Sequence, residues 1–170
     1  MNFLILLDGA KGAGKSTVCD LLQLRLPNTF FTGYKQKPKE EDDRAMMNVA
    51  IQQVREHLNA GENVVIHNHL TAKRLQVFSQ LGEECGAMVL KYHLTAPVEV
   101  LLQRLRQRDV SMGRETDEKR FHAVHRTQQA KDFSEFKSFD TTTLSPEAIA
   151  GRILRDIKGR TGHGAGGADA

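Results

Sequence analysis

Hydrophobic and polar positions along the chain fall into two alternating patterns. A short continuous apolar run occupies residues 3–7, and further strand candidates lie at 28–32, 63–67, 87–94 and 136–140. A run without polar alternation is expected of a strand covered on both faces. Between them the spacing switches to the helical period. Met47, Ala50, Ile51, Val54 and Leu58 form one stripe of a helix over 42–60, with Gly61 at its end. Leu75, Phe78 and Leu81 form another, opened by Thr71 as cap and closed by Gly82. Val98, Leu101, Leu102 and Leu105 mark a third after Pro97. A helix over 17–26 precedes Pro27, and a long one over 116–135 turns Phe121, Val124 and Phe133 inward. Ser145, Pro146 and Glu147 make a cap, a first-turn proline and an early acid for a last helix, buried through Ile149, Ile153, Leu154 and Ile157. The 109–115 stretch breaks the pattern and reads as a mobile loop. Strands alternating with helices predict an α/β fold around a parallel sheet.

Between the first strand and the first helix stands Asp8-Gly9-Ala10-Lys11-Gly12-Ala13-Gly14-Lys15-Ser16-Thr17. From Gly9 this is G-x-x-x-x-G-K-[ST] in a strand–loop–helix setting, the context that gives the motif its meaning. Such a loop points successive N–H groups inward and forms an anion nest at a helix N-terminus. Lys15 is placed to reach β- and γ-phosphates, and the Ser16 hydroxyl to ligate Mg²⁺. The loop therefore predicts nucleoside-triphosphate binding.

Length and composition add limits. With 170 residues the chain suits one folded domain, expected over 1–158, and the Gly-rich stretch 159–170 has too few apolar side chains to offset its ordering entropy and is expected to be disordered. Cys19 and Cys85 lack metal-ligand spacing and read as free thiols of a reducing compartment. No run approaches the ~20 apolar residues of a membrane span, and residues 2–7 lack the features of a signal peptide, so a soluble cytoplasmic protein is expected, as monomer or homodimer. A net charge of +3 is no footprint of a dedicated nucleic-acid binder.

More informative is the local charge. Arg104 and Arg108 lie four apart on one helix face, and Arg108 and Arg114 flank the 109–115 loop. An arginine-bearing lid that closes over a transferring phosphoryl group neutralises its oxygens and excludes water. Asp8, at the strand tip, is expected either to organise Mg²⁺-bound water or acceptor, or to be tied to backbone N–H groups. Glu40, Glu41, Asp42 and Asp43 either supply a proton acceptor or charge a helix start. His67 and His69 either contact substrate or bond locally, and Lys35, Lys37 and Lys39 either stand in solvent or meet a phosphate. A guanine-reading N-K-x-D is absent, as is a hydrophobic–Asp-Glu strand end of motor ATPases.

The cradle, the Pro97-led helix ending Arg104-Leu-Arg-Gln-Arg108, and Asp140-Thr-Thr-Thr-Leu-Ser-Pro146 before the last helix together resemble P-loop kinases of nucleosides, nucleotides and small metabolites, especially the thymidylate-kinase-like branch. The resemblance spans about residues 3–157. It implies a three-layer fold with a five-stranded parallel sheet, ATP and Mg²⁺ as cofactors, a lid between 108 and 116, and adenine near residues 140–144. It places Arg104 and Arg108 on the lid-arginine pattern and the helix opening at Asp42 beside the acceptor; Arg104 is expected at the nucleotide, and Arg108 or Arg114 is expected to close over the transferring group. His67-Asn68-His69 departs from the family's usual Asp-Arg-aromatic. An ATP-dependent kinase of a nucleotide or nucleoside leads, with sugars, antibiotics and polynucleotide 5′-hydroxyls as alternative acceptors, and a module that binds or hydrolyses ATP without an acceptor as the alternative to a kinase.

Overall fold

A computed structural model of the chain describes residues 1–34, 37, 39–68 and 70–162. The strands are β1 (Phe3–Gly9), β2 (Thr29–Gly33), β3 (Asn63–His67), β4 (Met88–Thr95) and β5 (Lys137–Asp140). The helices are α1 (Lys15–Gln23), α2 (Glu40–Asn59), α3 (Ala72–Glu84), α4 (Val98–Ser111), α5 (Glu118–Gln129) and α6 (Pro146–Gly162). All strands pair in parallel in one five-stranded sheet of order β2-β3-β1-β4-β5. The α/β expectation and the three-layer architecture hold.

Strand β1 is central and fully buried, and its alternation divides the core. Ile5 and Leu7 join Leu22 of α1, Ile149 and Ile153 of α6, and Leu101 of α4 on one face. Leu4 and Leu6 join Val54 and Leu58 of α2 with Phe78 and Leu81 of α3 on the other. Covering both faces by helices is what a parallel sheet of unbroken apolar strands requires.

Several boundaries differ from the sequence-based expectation. Helix α1 begins at Lys15 and ends at Gln23, leaving Leu24 exposed. Helix α2 begins at Glu40, so the four acids fill its first turn, where the macrodipole favours them. Gly82 does not stop α3. A Cβ there would sit 2.7 Å from Val89 Cγ2 and 2.9 Å from Leu4 Cδ2, so it is the point where helix and sheet approach closest. The expected loop at 109–115 is helical as far as Ser111, because Asp109 and Val110 continue α4 without a break. Helix α5 spans Glu118–Gln129 rather than 116–135, capped by the Asp117 carboxylate on the Arg120 amide. Phe133 therefore lies beyond the helix, stacked on His93 of β4 with centroids 3.7 Å apart. Helix α6 passes the expected boundary at Lys158 to reach Gly162; the rest of the expected tail, 163–170, lies outside the described residues. Among the described residues no helix is long and apolar enough to cross a membrane.

Candidate active site

At the C-terminal end of β1 the chain turns through Gly9 to Gly14 into the N-terminus of α1. Gly9 is forced by packing: a Cβ would lie 2.5 Å from the Leu94 carbonyl oxygen of β4. Gly12, at φ +85, brings the loop against Leu101 of α4, where a Cβ would come within 3.0 Å of the carbonyl oxygen. Ala13 N–H donates to Ala10 O at 3.1 Å and closes the turn. Ser16 and Thr17 follow, exposed in the first turn of α1.

The ammonium of Lys15 folds back over this loop and donates to the carbonyls of Gly9 (2.6 Å) and Ala10 (2.9 Å). Burial pushes its pKa down from 10.5 to about 8; Asp8 opposes the shift, while Lys131 and Arg108 add to it. Lys11, at the loop's exposed edge, is also pushed down, by burial and then by Arg108.

Asp8 has no exposed surface. Its Oδ2 is 2.8 Å from Lys131 Nζ and its Oδ1 accepts the Leu70 N–H at 3.4 Å, while Lys131 also donates to Leu70 O. Both carboxylate oxygens are therefore held by protein, the local-bonding alternative expected for a strand-end acid, although its main partner is a side chain. Lys131 was not foreseen. It follows α5 in a polar stretch and meets Asp8 across a separation of 123 residues, which no local pattern encodes.

The three arginines have different surroundings. Arg104 donates to Gly12 O (3.3 Å), Thr141 Oγ1 (2.7 Å) and Thr141 O (3.1 Å), tying the cradle to the turn between β5 and α6. Arg108 carries a buried Nε without a partner among the described residues, and its Nη2 is 3.9 Å from Asp109 Oδ1. Arg114 bonds Asp109 Oδ1 at 3.2 Å through its side chain and Asp109 O at 2.8 Å through its amide. Thr116 Oγ1 donates to Asp109 Oδ2 at 3.0 Å. Asp109, taken from sequence only as the start of a loop, is instead the buried anchor of the α4–α5 connection.

On the opposite side, Asp43 is the one member of the acidic cluster drawn into a network. It accepts from Tyr34 OH (2.7 Å), the Lys37 amide (2.8 Å) and Arg74, whose guanidinium lies 4.4 Å over the Tyr34 ring. The Tyr34 hydrogen bond is the main cause holding Asp43 below the ordinary carboxylate range. His67 ends β3 with a buried Nδ1 that has no partner among the described residues, and burial, reinforced by Lys15, lowers its pKa so that the ring stays neutral. Asn68 donates to Tyr34 O at 2.7 Å. His69 and Lys35 lie outside the described residues.

Part of this set lines a cavity of about 620 Å³: Ala10, Lys11 and Lys15 of the cradle, Tyr34 and Asn68, Asp109, Arg114, Glu115 and Asp117 of the α4–α5 connection, and Arg120, Phe121 and His125 of α5. Asp8, Asp43, His67, Arg104 and Arg108 are not among its lining residues. Arg120, in the first turn of α5, is a further cation that sequence reasoning did not single out; its only signal was its place shortly after Arg114. Among the described residues no cluster of three or more His, Cys, Asp or Glu side chains could hold a metal ion. Beside the cradle, the exposed Ser16 hydroxyl is a group that could hold a metal ion.

A parallel sheet with a glycine cradle at the tip of its central strand, a lysine over the loop and helices on both faces is the P-loop nucleotide-binding class of fold. The chain belongs to the AAA_18 family, described as an AAA domain, whose model matches residues 5–125. No curated protein matches the chain significantly. Among solved structures it is similar to the tunicamycin resistance protein of Deinococcus radiodurans, at TM-score 0.66 and 17% identity over 92% of this chain and 96% of that one. A sugar kinase from Janibacter sp. HTCC2649 is similar at TM-score 0.66 and 18% identity, over 91% and 94%. A gluconokinase from Sinorhizobium meliloti 1021 gives TM-score 0.60 and 17% identity, over 93% and 97%. At these identities the likeness is one of fold.

Proposed function

We propose that the chain is an ATP-dependent kinase that transfers the γ-phosphoryl group to a small acceptor, a nucleoside or nucleotide before a sugar, an antibiotic or a polynucleotide 5′-hydroxyl. The observation that supports this reading is the cavity: Lys11 and Lys15 of the cradle and Arg114 and Arg120 from the α4–α5 region line one space, together with the acids Asp109, Glu115 and Asp117. Phosphoryl transfer needs little covalent chemistry from the protein and much positioning and charge neutralisation. Residues Gly9 to Thr17 would wrap the triphosphate, with Lys15 leaving the loop carbonyls for β- and γ-oxygens. Arg104 would hold the cradle against the 140–144 turn beside the adenine. Arg108, with its unbonded Nε, and Arg114 would meet the transferring group. Ser16 would hold Mg²⁺, which when bound neutralises charge on the phosphates. In this reading Asp8 positions Lys131 and the Leu70 backbone at the end of the cradle rather than taking a proton.

The full-match structures include a sugar kinase and a gluconokinase, which favours transfer over simple hydrolysis. The test is a labelled-ATP transfer screen across nucleosides, nucleoside monophosphates, 5′-hydroxyl oligonucleotides, sugars and aminoglycoside-type antibiotics. Transfer to one class, abolished in Lys15→Ala, is the expected result. Rapid ATP hydrolysis with no dependence on any acceptor would replace the kinase reading with a nucleotide-driven switch.

A further inference from the structure

Two of the chain's five methionines stand open to solvent: Met1 at the N-terminus, 93% exposed, and Met112, 59% exposed. Met46, Met47 and Met88 are partly covered by the core. Met112 is the C-cap of α4, and its amide donates to the carbonyls of Arg108 and Asp109, both at 3.1 Å. Its backbone is therefore held while its side chain lies open. Gly113 follows at φ +67, a left-handed turn that glycine adopts without strain. Past that turn Arg114 comes back onto Met112. Its Nη2 donates to Met112 Sδ at 3.0 Å and to Asp109 Oδ1 at 3.2 Å. Arg114 and Asp109 line the main cavity, whereas Met112 does not.

One guanidinium nitrogen is thus shared between a carboxylate and a thioether. The thioether is a weak acceptor, so Asp109 dominates the balance. Oxidation of the sulfur changes that, because a sulfoxide is polar and carries its oxygen on the atom that Arg114 already touches. Arg114 then has two strong acceptors instead of one, and the added one lies off the cavity. We propose that Met112 is an oxidation site, converted by a peroxide to the sulfoxide, whose oxygen holds Arg114 back from the phosphates of the main cavity. In that step a sulfur lone pair attacks one peroxide oxygen. The S–O bond forms as the O–O bond breaks, and the second oxygen leaves with both protons as water. Sulfur loses two electrons and the peroxide gains them. The modification and the capture of Arg114 stand on the contact alone; their effect on turnover rests on the kinase reading, in which Arg114 meets the transferring group.

The experiment uses the full chain with ¹³C-labelled methionine methyls. It is treated with hydrogen peroxide and then with dithiothreitol, which reduces oxidised cysteine and leaves the sulfoxide. Peptide mass spectrometry and methyl NMR locate the added oxygen. Met112 should gain it before Met46, Met47 and Met88. Arg114→Ala should move the Met112 methyl resonance both before oxidation and after it. AMP-PNP, by drawing Arg114 off the sulfur, should shift that resonance in the unoxidised protein and leave it in place in the sulfoxide form. Consumption of labelled ATP should fall at least about tenfold on oxidation, the cost of misplacing one group at the reacting centre, with AMP-PNP affinity within about twofold. A methionine sulfoxide reductase should restore the rate. Met112→Leu, which keeps Met1 and the other methionines, should hold its own rate through the same treatment.

Three outcomes overturn the inference: oxidation of the covered methionines ahead of Met112, a Met112 methyl that ignores Arg114→Ala, or an equal loss of turnover in treated Met112→Leu. A chain that binds AMP-PNP and turns over at the same rate with and without the sulfoxide would also overturn it, and would leave the kinase reading standing. A Met112 sulfoxide with Arg114-dependent methyl shifts, in a chain that never binds AMP-PNP, would keep the oxidation site and remove the kinase reading.

Discussion

The buried pair of Asp8 and Lys131 yields the strongest prediction about stability. The side chains are 0% and 5% exposed, with 2.8 Å between Oδ2 and Nζ. At that separation and an effective dielectric of about 20 their attraction is about 6 kcal/mol, most of it offset by the desolvation of both ions. Removing one partner leaves the other charge buried and uncompensated, so Lys131→Met should destabilise the fold by about 3–5 kcal/mol, with Asp8→Asn similar. For a domain of this size that corresponds to a fall in Tm of about 6–20 °C. The double variant Asp8→Asn/Lys131→Met should recover part of the loss, with a coupling of about 2–3 kcal/mol. Urea unfolding of the four proteins measures the cycle, and equal m-values keep the comparison valid. A single-variant loss below about 1 kcal/mol, or strictly additive losses, would refute the claim that these charges depend on each other.

Two further predictions concern the nucleotide. Lys15 titrates near pH 8 in the free protein, so its proton is present below that pH and lost above it. The kcat/KM for ATP, which reports the free enzyme, should therefore fall as pH rises through about 8, while kcat stays flatter because bound phosphate holds the proton on. A descending limb no lower than pH 10 would contradict the burial argument. Asp109→Asn removes the charge that gathers Arg114 and Thr116. It should lower kcat at least about tenfold with little change in ATP affinity, since positioning over the transferring group is lost and the cradle is untouched. An unchanged kcat would mean that the α4–α5 connection takes no part in turnover.

The fold was legible wherever one local rule governed. An unbroken apolar run marked β1, which is buried on both faces, a shorter one marked the buried centre of β3, and the glycine spacing marked the cradle. Reading failed where distant partners decide the local structure. Gly82 looks like a helix stop, but it lies inside α3 and lacks a side chain where Val89 and Leu4 press against it. Asp109 looks like the start of a polar loop, but its helix continues because its carboxylate collects Arg114 and Thr116. Lys131 sat unremarked among polar neighbours. Its meaning comes from its buried pairing with Asp8, and nothing in the adjacent sequence reports it.

The central claim is that the Gly9–Thr17 loop and its lysine grip a nucleoside triphosphate. Calorimetric titration of the wild-type chain and of Lys15→Ala with Mg²⁺-ATP tests it most directly. Saturable binding by the wild type, weakened at least about tenfold in a variant that keeps its fold, is the expected result. No binding at millimolar ATP, or equal binding by both proteins, would contradict the account.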